Sequence, residues 1–185
     1  LLEYGEGFAA FIDAFEPVAG LPYLGDIARL EWARQQAYHA AEAEPLQAQR
    51  LSDVEPTQLG DLRLQMHPSL RVCESRWPVL DIWATNARDV CVRAIDLDAG
   101  GQQVLIVRPG AQLTEQLLPA GGAQFLAAIA AGKTLAESAE TALTGAADFK
   151  LAGLLKLLLQ TGALADFELA DCEPAARTDR GNTHD

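Results

Sequence analysis

Few residues in this chain are suited to catalysis. It has 185 residues, with only three histidines and three cysteines. None of His39, His67 and His184 sits in a His/Cys/Asp/Glu box of metal-ligand spacing. Cys73, Cys91 and Cys172 are odd in number and far apart, and no CxxC pair exists. That argues against a disulfide scaffold or a zinc site and fits a reducing cytoplasm. Ser69, Ser75 and Thr134 lack a nucleophile-elbow context. There is neither a GxGxxG nor a GxxxxGK[ST] stretch, and the Gly-Gly pairs at 100–101 and 121–122 read as turns. Asp96 and Asp98 flank a turn and read as solvated. No apolar run approaches the roughly 20 residues a membrane span needs, and no signal peptide is visible. The expectation is a cytoplasmic, non-catalytic chain with no cofactor, no metal and no membrane contact.

Positive charge is scarce as well. Fourteen lysines and arginines face 26 carboxylates, for a formal net charge of -12. A field of that sign repels phosphate backbones, so nucleic acid is disfavoured as a partner. A basic peptide or protein segment is favoured.

Hydrophobic residues make up 49% of the chain, enough for a packed core. Phe8, Phe11, Ile12 and Phe15 follow helical spacing, and Glu16-Pro17 ends that helix. The chain opens on Leu1 and enters this pattern at once, which reads as a fragment lacking an N-terminal region. Pro22 suits the first turn of a second helix. Its stripe is Tyr23, Ile27, Leu30, Ala33, Ala37 and Ala41, and Pro45 should stop it. Asp26 with Arg29, and Glu31 with Arg34, are three apart and can pair on its surface.

Leu62, Leu64 and Met66 alternate with polar residues, which is strand period, and Pro68 marks an edge or bulge before Leu70 and Val72 resume. Pro78 opens a short helix holding Val79, Ile82 and Trp83. Residues 90–95 and 103–107 read as strands joined by a turn at 98–101, with a third strand over 112–118. Helical text follows: Phe125, Leu126 and Ile129 to a stop at Gly132, then a helix capped by Thr134 with Glu137 completing a capping box. Leu135, Ala139 and Leu143 should line that second helix. Asp148 should cap a last helix carrying Leu151, Leu154, Leu155, Leu158 and Leu159, closed by Gly162. Residues 163–169 read as a final strand. The predicted fold class is α+β: a helical part with one interrupted strand over 1–86, a winged-helix-like domain with a small antiparallel sheet over 87–170, and a disordered tail over 171–185. Winged-helix order invites a DNA-binding role, but the last helix offers only Lys150, Lys156 and Gln160 among leucines, and the helix before it is acidic.

The stretch LPYLGDIARLEWARQQAYHA, then MHPSL and WPVLDIW, resembles the HvfC family, which includes BufC-type proteins and has MbnC as a distant relative. Its members are described from sequence as DNA-binding. The matching positions are Leu21, Pro22, Tyr23, Leu24, Ala28, Arg29, Leu30, Glu31, Trp32, His67, Pro68, Ser69 and Trp83. The resemblance is strong over residues 1–85 and looser through about residue 170. Members usually begin with a further helical region.

The resemblance implies an accessory subunit that partners an HvfB- or MbnB-like multinuclear iron oxidase as a heterodimer. Such an enzyme modifies cysteines in a ribosomally made precursor peptide, with copper handling as the family outcome. The iron ligands would belong to the partner. An exposed strand edge can take an extended leader peptide by backbone pairing. The candidates are 103–107 and 112–118, with Val104, Leu105, Ile106, Val107, Leu113 and Leu117 as peptide-binding residues, and 62–66 as second choice. Arg29, Trp32, His67 and Trp83 are the candidate partner interface. Arg29 and Glu31 are expected as a buried pair joining helix to strands. The alternatives are a DNA-binding transcription regulator and a scaffold without peptide specificity.

Overall fold

The computed structural model describes residues 5–87 and 94–170. The chain is α+β. Helix α1 (Phe8–Ala14) is followed by a 3-10 turn at Glu16–Val18, where Pro17 blocks continuation. Helix α2 (Leu24–Tyr38) starts two residues after Pro22 and ends well before Pro45. Its end is set by a distant side chain rather than by that proline. The Arg108 guanidinium donates to the carbonyls of Ala37 and Ala40 at 3.3 and 2.8 Å, taking up backbone acceptors at the helix end.

A short α3 (Ala48–Ser52) and a 3-10 turn at Pro56–Asp61 lead into β1 (Leu62–Met66). After Pro68 come β2 (Arg71–Ser75) and α4 (Val79–Ala87). Beyond the undescribed 88–93 come β3 (Gln102–Val107), β4 (Thr114–Leu117), α5 (Gly122–Ala130), α6 (Leu135–Gly145), α7 (Leu151–Gln160) and β5 (Leu164–Leu169).

Pro68 does more than interrupt one strand. It marks a change of sheet: β1 pairs antiparallel with β5, whereas β2 joins a three-stranded sheet of order β2-β3-β4. The β1–β5 ladder is irregular at Gln65/Met66. The expected hairpin between 90–95 and 103–107 is not the pairing of β3, whose two sides are taken by β2 and β4. Most of 90–95 lies outside the described residues, as does the tail from 171. Both sheets join chain on the two sides of position 86, because β1 meets β5 and β2 meets β3.

The three-stranded sheet is the middle layer between two cores. Alternation along β3 sends Val104 and Ile106 to one core, with Leu30, Ala33, Ala37, Val79 and Trp83 from α2 and α4. Leu105 and Val107 go to the other, with Phe125, Leu126, Leu154, Leu158 and Leu164. A strand buried on both faces reads as a continuous apolar run, as VLIV over 104–107 does.

The capping box of α6 is formed: Thr134 accepts from the Glu137 N–H, and Glu137 accepts from the Thr134 N–H. Its buried stripe is Leu135, Ser138 and Ala142, with Leu143 about half exposed, so the expected lining by Leu143 does not hold. Asp148 does not cap α7, whose N-cap is Lys150 without a side-chain hydrogen bond.

Candidate functional site

The sheet fixes which strand can meet an extended ligand. All four of Val104, Leu105, Ile106 and Val107 are fully buried in β3, and β3 is hydrogen-bonded along both sides. Their expected role as a peptide-binding edge is therefore corrected: a central strand has no unpaired backbone row to offer, so these residues support the edge from behind. That edge is β4. Among the described residues β4 pairs only with β3, through Val107↔Thr114, Ile106↔Glu115, Leu105↔Gln116 and Val104↔Leu117.

Ladder alternation sets the direction of each β4 amide. The Leu118 N–H bonds the Gln103 carbonyl at 2.8 Å, so Gln116 and Thr114 also point their amides toward β3. The N–H groups of Glu115 and Leu117 point away from it. Leu117 is 48% exposed, while Leu113 is half-buried against the α2–α4 core. The second-choice strand, β1, has β5 along one side.

Beside β4 lies a polar and aromatic cluster. Arg34 of α2 donates to the Glu115 carboxylate at 3.1 Å, and its guanidinium sits 4.1 Å above the Trp83 ring. The Trp83 indole N–H donates to Glu31. These cross-element bonds replace the expected Glu31–Arg34 surface pair. They join α2, α4 and β4.

The expected Arg29–Glu31 pair is also corrected. Arg29 is 44% exposed at its side chain and binds Asp13 of α1 and Asp26 of its own helix, the latter at 2.8 Å. The hydrogen bond to Asp13 holds its pKa above the ordinary guanidinium value. Asp26 also accepts from the Ser75 hydroxyl at 2.6 Å, which ties α2 to β2. Trp32 lines the groove between α1 and α2, and Trp83 lines an adjoining one, with Leu24, Ile27 and Glu31 bordering both.

His67 is only 1% exposed. A carbonyl only accepts, so its Nε2 carries the proton bonded to the Ala43 carbonyl at 3.0 Å, and Nδ1 accepts from the Ser69 hydroxyl at 2.8 Å. The Ser69 oxygen in turn accepts from the Arg108 amide at 2.8 Å. His67 is thus committed inside the fold, and its expected place on a partner interface is corrected to a structural one. Of the four expected interface residues, Arg29 is exposed, Trp32 is partly buried, and His67 and Trp83 are buried.

Sequence reasoning placed Arg34 only in a surface pair and missed Glu115 and Arg108. Arg108 is 6% exposed and also binds Glu42 and the Gly110 carbonyl, both at 2.6 Å. Its only local signal is a charge placed directly after the apolar run of β3. Among the described residues no group of three or more histidine, cysteine or carboxylate side chains is placed to hold a metal ion. No helix among them is long and apolar enough to cross a membrane. No protein-family model matches the chain, and no curated protein matches it.

Proposed function

We propose that the chain is a non-catalytic accessory subunit that binds an extended precursor peptide along β4 and partners an HvfB- or MbnB-like iron oxidase in peptide maturation in the cytoplasm. The observation that carries the reading is β4 itself. It is a short strand with an exposed outer residue, and β3 behind it is clamped between two cores. A strand added there gains backbone hydrogen bonds without reorganising the receptor. The run α5, α6, α7 and β5, with β5 paired to β1, supports a winged-helix reading of the C-terminal part. The acidic balance supports a precursor with a basic region.

The test is co-purification with a co-expressed HvfB-like enzyme, with and without its neighbouring precursor, using three forms of this chain. The Leu117→Pro variant loses an outward-pointing amide while keeping every β3–β4 bond; Leu117→Ser keeps the amide. The expected result is precursor retention by the parent and by Leu117→Ser, and loss with Leu117→Pro. Equal retention by all three removes the β4 reading, and no complex with enzyme or precursor removes the accessory role.

A DNA-binding regulator finds less support. The exposed positions of α7 are Ala152, Gly153, Lys156 and Gln160, and α6 exposes Glu137 and Glu140. One lysine does not make a recognition surface. Salt-dependent, sequence-selective DNA retention would reinstate that reading.

A further inference from the structure

Helix α1 buries only Ala9, although it is rich in phenylalanine. Phe8, Phe11 and Phe15 are 54%, 54% and 41% exposed and form one row, with successive ring centroids 6.3 and 5.2 Å apart. Leu21 is 45% exposed nearby in the chain. Beside this row, α1 and α2 enclose an apolar groove of about 550 Å³ lined by Phe8, Ile12, Leu24, Ile27 and Trp32, with Glu31 at its side. A helix of seven residues is marginal in water alone, and an aromatic stripe of this extent marks an interaction surface.

The surroundings define what fits. Residues 5–28 carry Glu6, Asp13, Glu16 and Asp26 and no lysine, arginine or histidine. The nearest cation, Arg29, is committed to Asp13 and Asp26. The groove lies between two helices whose backbones are internally bonded, so an occupant must satisfy its own amides, which a helix does and an extended strand does not. The unbalanced carboxylates favour a positively charged occupant and oppose a second copy of the same acidic face.

We propose that the α1–α2 groove docks an amphipathic α-helix of another protein, with apolar residues at i, i+3, i+4 and i+7 and lysines or arginines flanking them. This surface is distinct from β4 and does not depend on the peptide reading above. The probe is a synthetic helical peptide with leucines at those positions and lysines on the flanks, titrated against the full chain. Binding is read by peptide anisotropy and by the fluorescence of Trp32, isolated in a Trp77→Phe, Trp83→Phe background and checked by anisotropy with the parent chain.

Expected is saturable binding that weakens as salt rises. It should fall about tenfold or more in a Phe8→Ser, Phe11→Ser double variant, as removal of central aromatic anchors does. Both phenylalanines are more than half exposed, so the variant keeps its fold, which circular dichroism verifies. Equal binding of a scrambled peptide of the same composition overturns the proposal. So does equal binding of a glutamate-flanked version, an unchanged affinity in the double variant, or no binding at all. A chain dimer in sedimentation that the double variant dissolves assigns the stripe to self-association and overturns it too.

Discussion

Arg108 carries more of the fold than its sequence position suggests. It stands at the end of β3, yet its guanidinium gathers the end of α2, Glu42 and the turn at Gly110. Truncating it to Met keeps the stem but leaves the Ala37, Ala40 and Gly110 carbonyls without this donor. We expect Arg108→Met to cost about 2–4 kcal/mol, read as a lower urea midpoint with an unchanged slope. Nothing local announces this role, because Ala37 and Ala40 are about 70 residues away in the chain. Cys73 shows the opposite case, in which burial alone predicts behaviour. It is 6% exposed, and burial pushes its thiol up to about 11 from 9.0. The native protein should leave Cys73 unmodified by iodoacetamide at neutral pH, while the urea-unfolded chain reacts, as peptide mass mapping reads. A raised thiol pKa means the folded state keeps a proton that the unfolded state loses. The Cys73 contribution is therefore whole below pH 9 and is lost as pH rises from there through about 11.

The elements themselves were largely legible. The N-cap of α6 follows from Thr134 and Glu137 alone, since a capping box is satisfied within four residues. Thr134→Ala should cost about 1 kcal/mol and lower Tm by a few degrees in a thermal melt. The backbone hydrogen bond from Thr134 holds the Glu137 carboxyl below its ordinary value. That contribution is present above the unfolded carboxylate pKa and is lost as pH falls through the folded one, so the penalty of Glu137→Ala, which removes the carboxylate that accepts this bond, should shrink in acid. Gly162 is legible as a helix stop, with a positive φ of 66°. What it touches is not: a Cβ there would lie 2.7 Å from Pro109 and 3.3 Å from Pro45. The end of α2 and the missing cap of α7 were not legible, because one depends on Arg108 and the other has no side-chain bond.

Over the whole molecule the two sheets lace the chain together. A division at 86 separates β1 from β5 and β2 from β3. We expect residues 87–185 expressed alone to lack cooperative unfolding, because β3 and β5 each lose a partner strand. Co-expression with residues 1–86 should restore a cooperative melt as a paired assembly, and an independently cooperative 87–185 fragment would contradict this.

Composition, helical and strand periods and the turn residues settled, without any structure, that the chain is α+β and where most elements lie. These depend on residues a few positions apart, whose hydrogen bonds and side-chain spacing are local. The order of the strands was decided only by tertiary structure. An apolar run such as 104–107 reads the same in a central strand as beside an edge, and which it is depends on pairings made with 71–75 and 114–117. That long-range pairing turned the expected peptide contacts of β3 into a buried support and left β4 as the candidate edge.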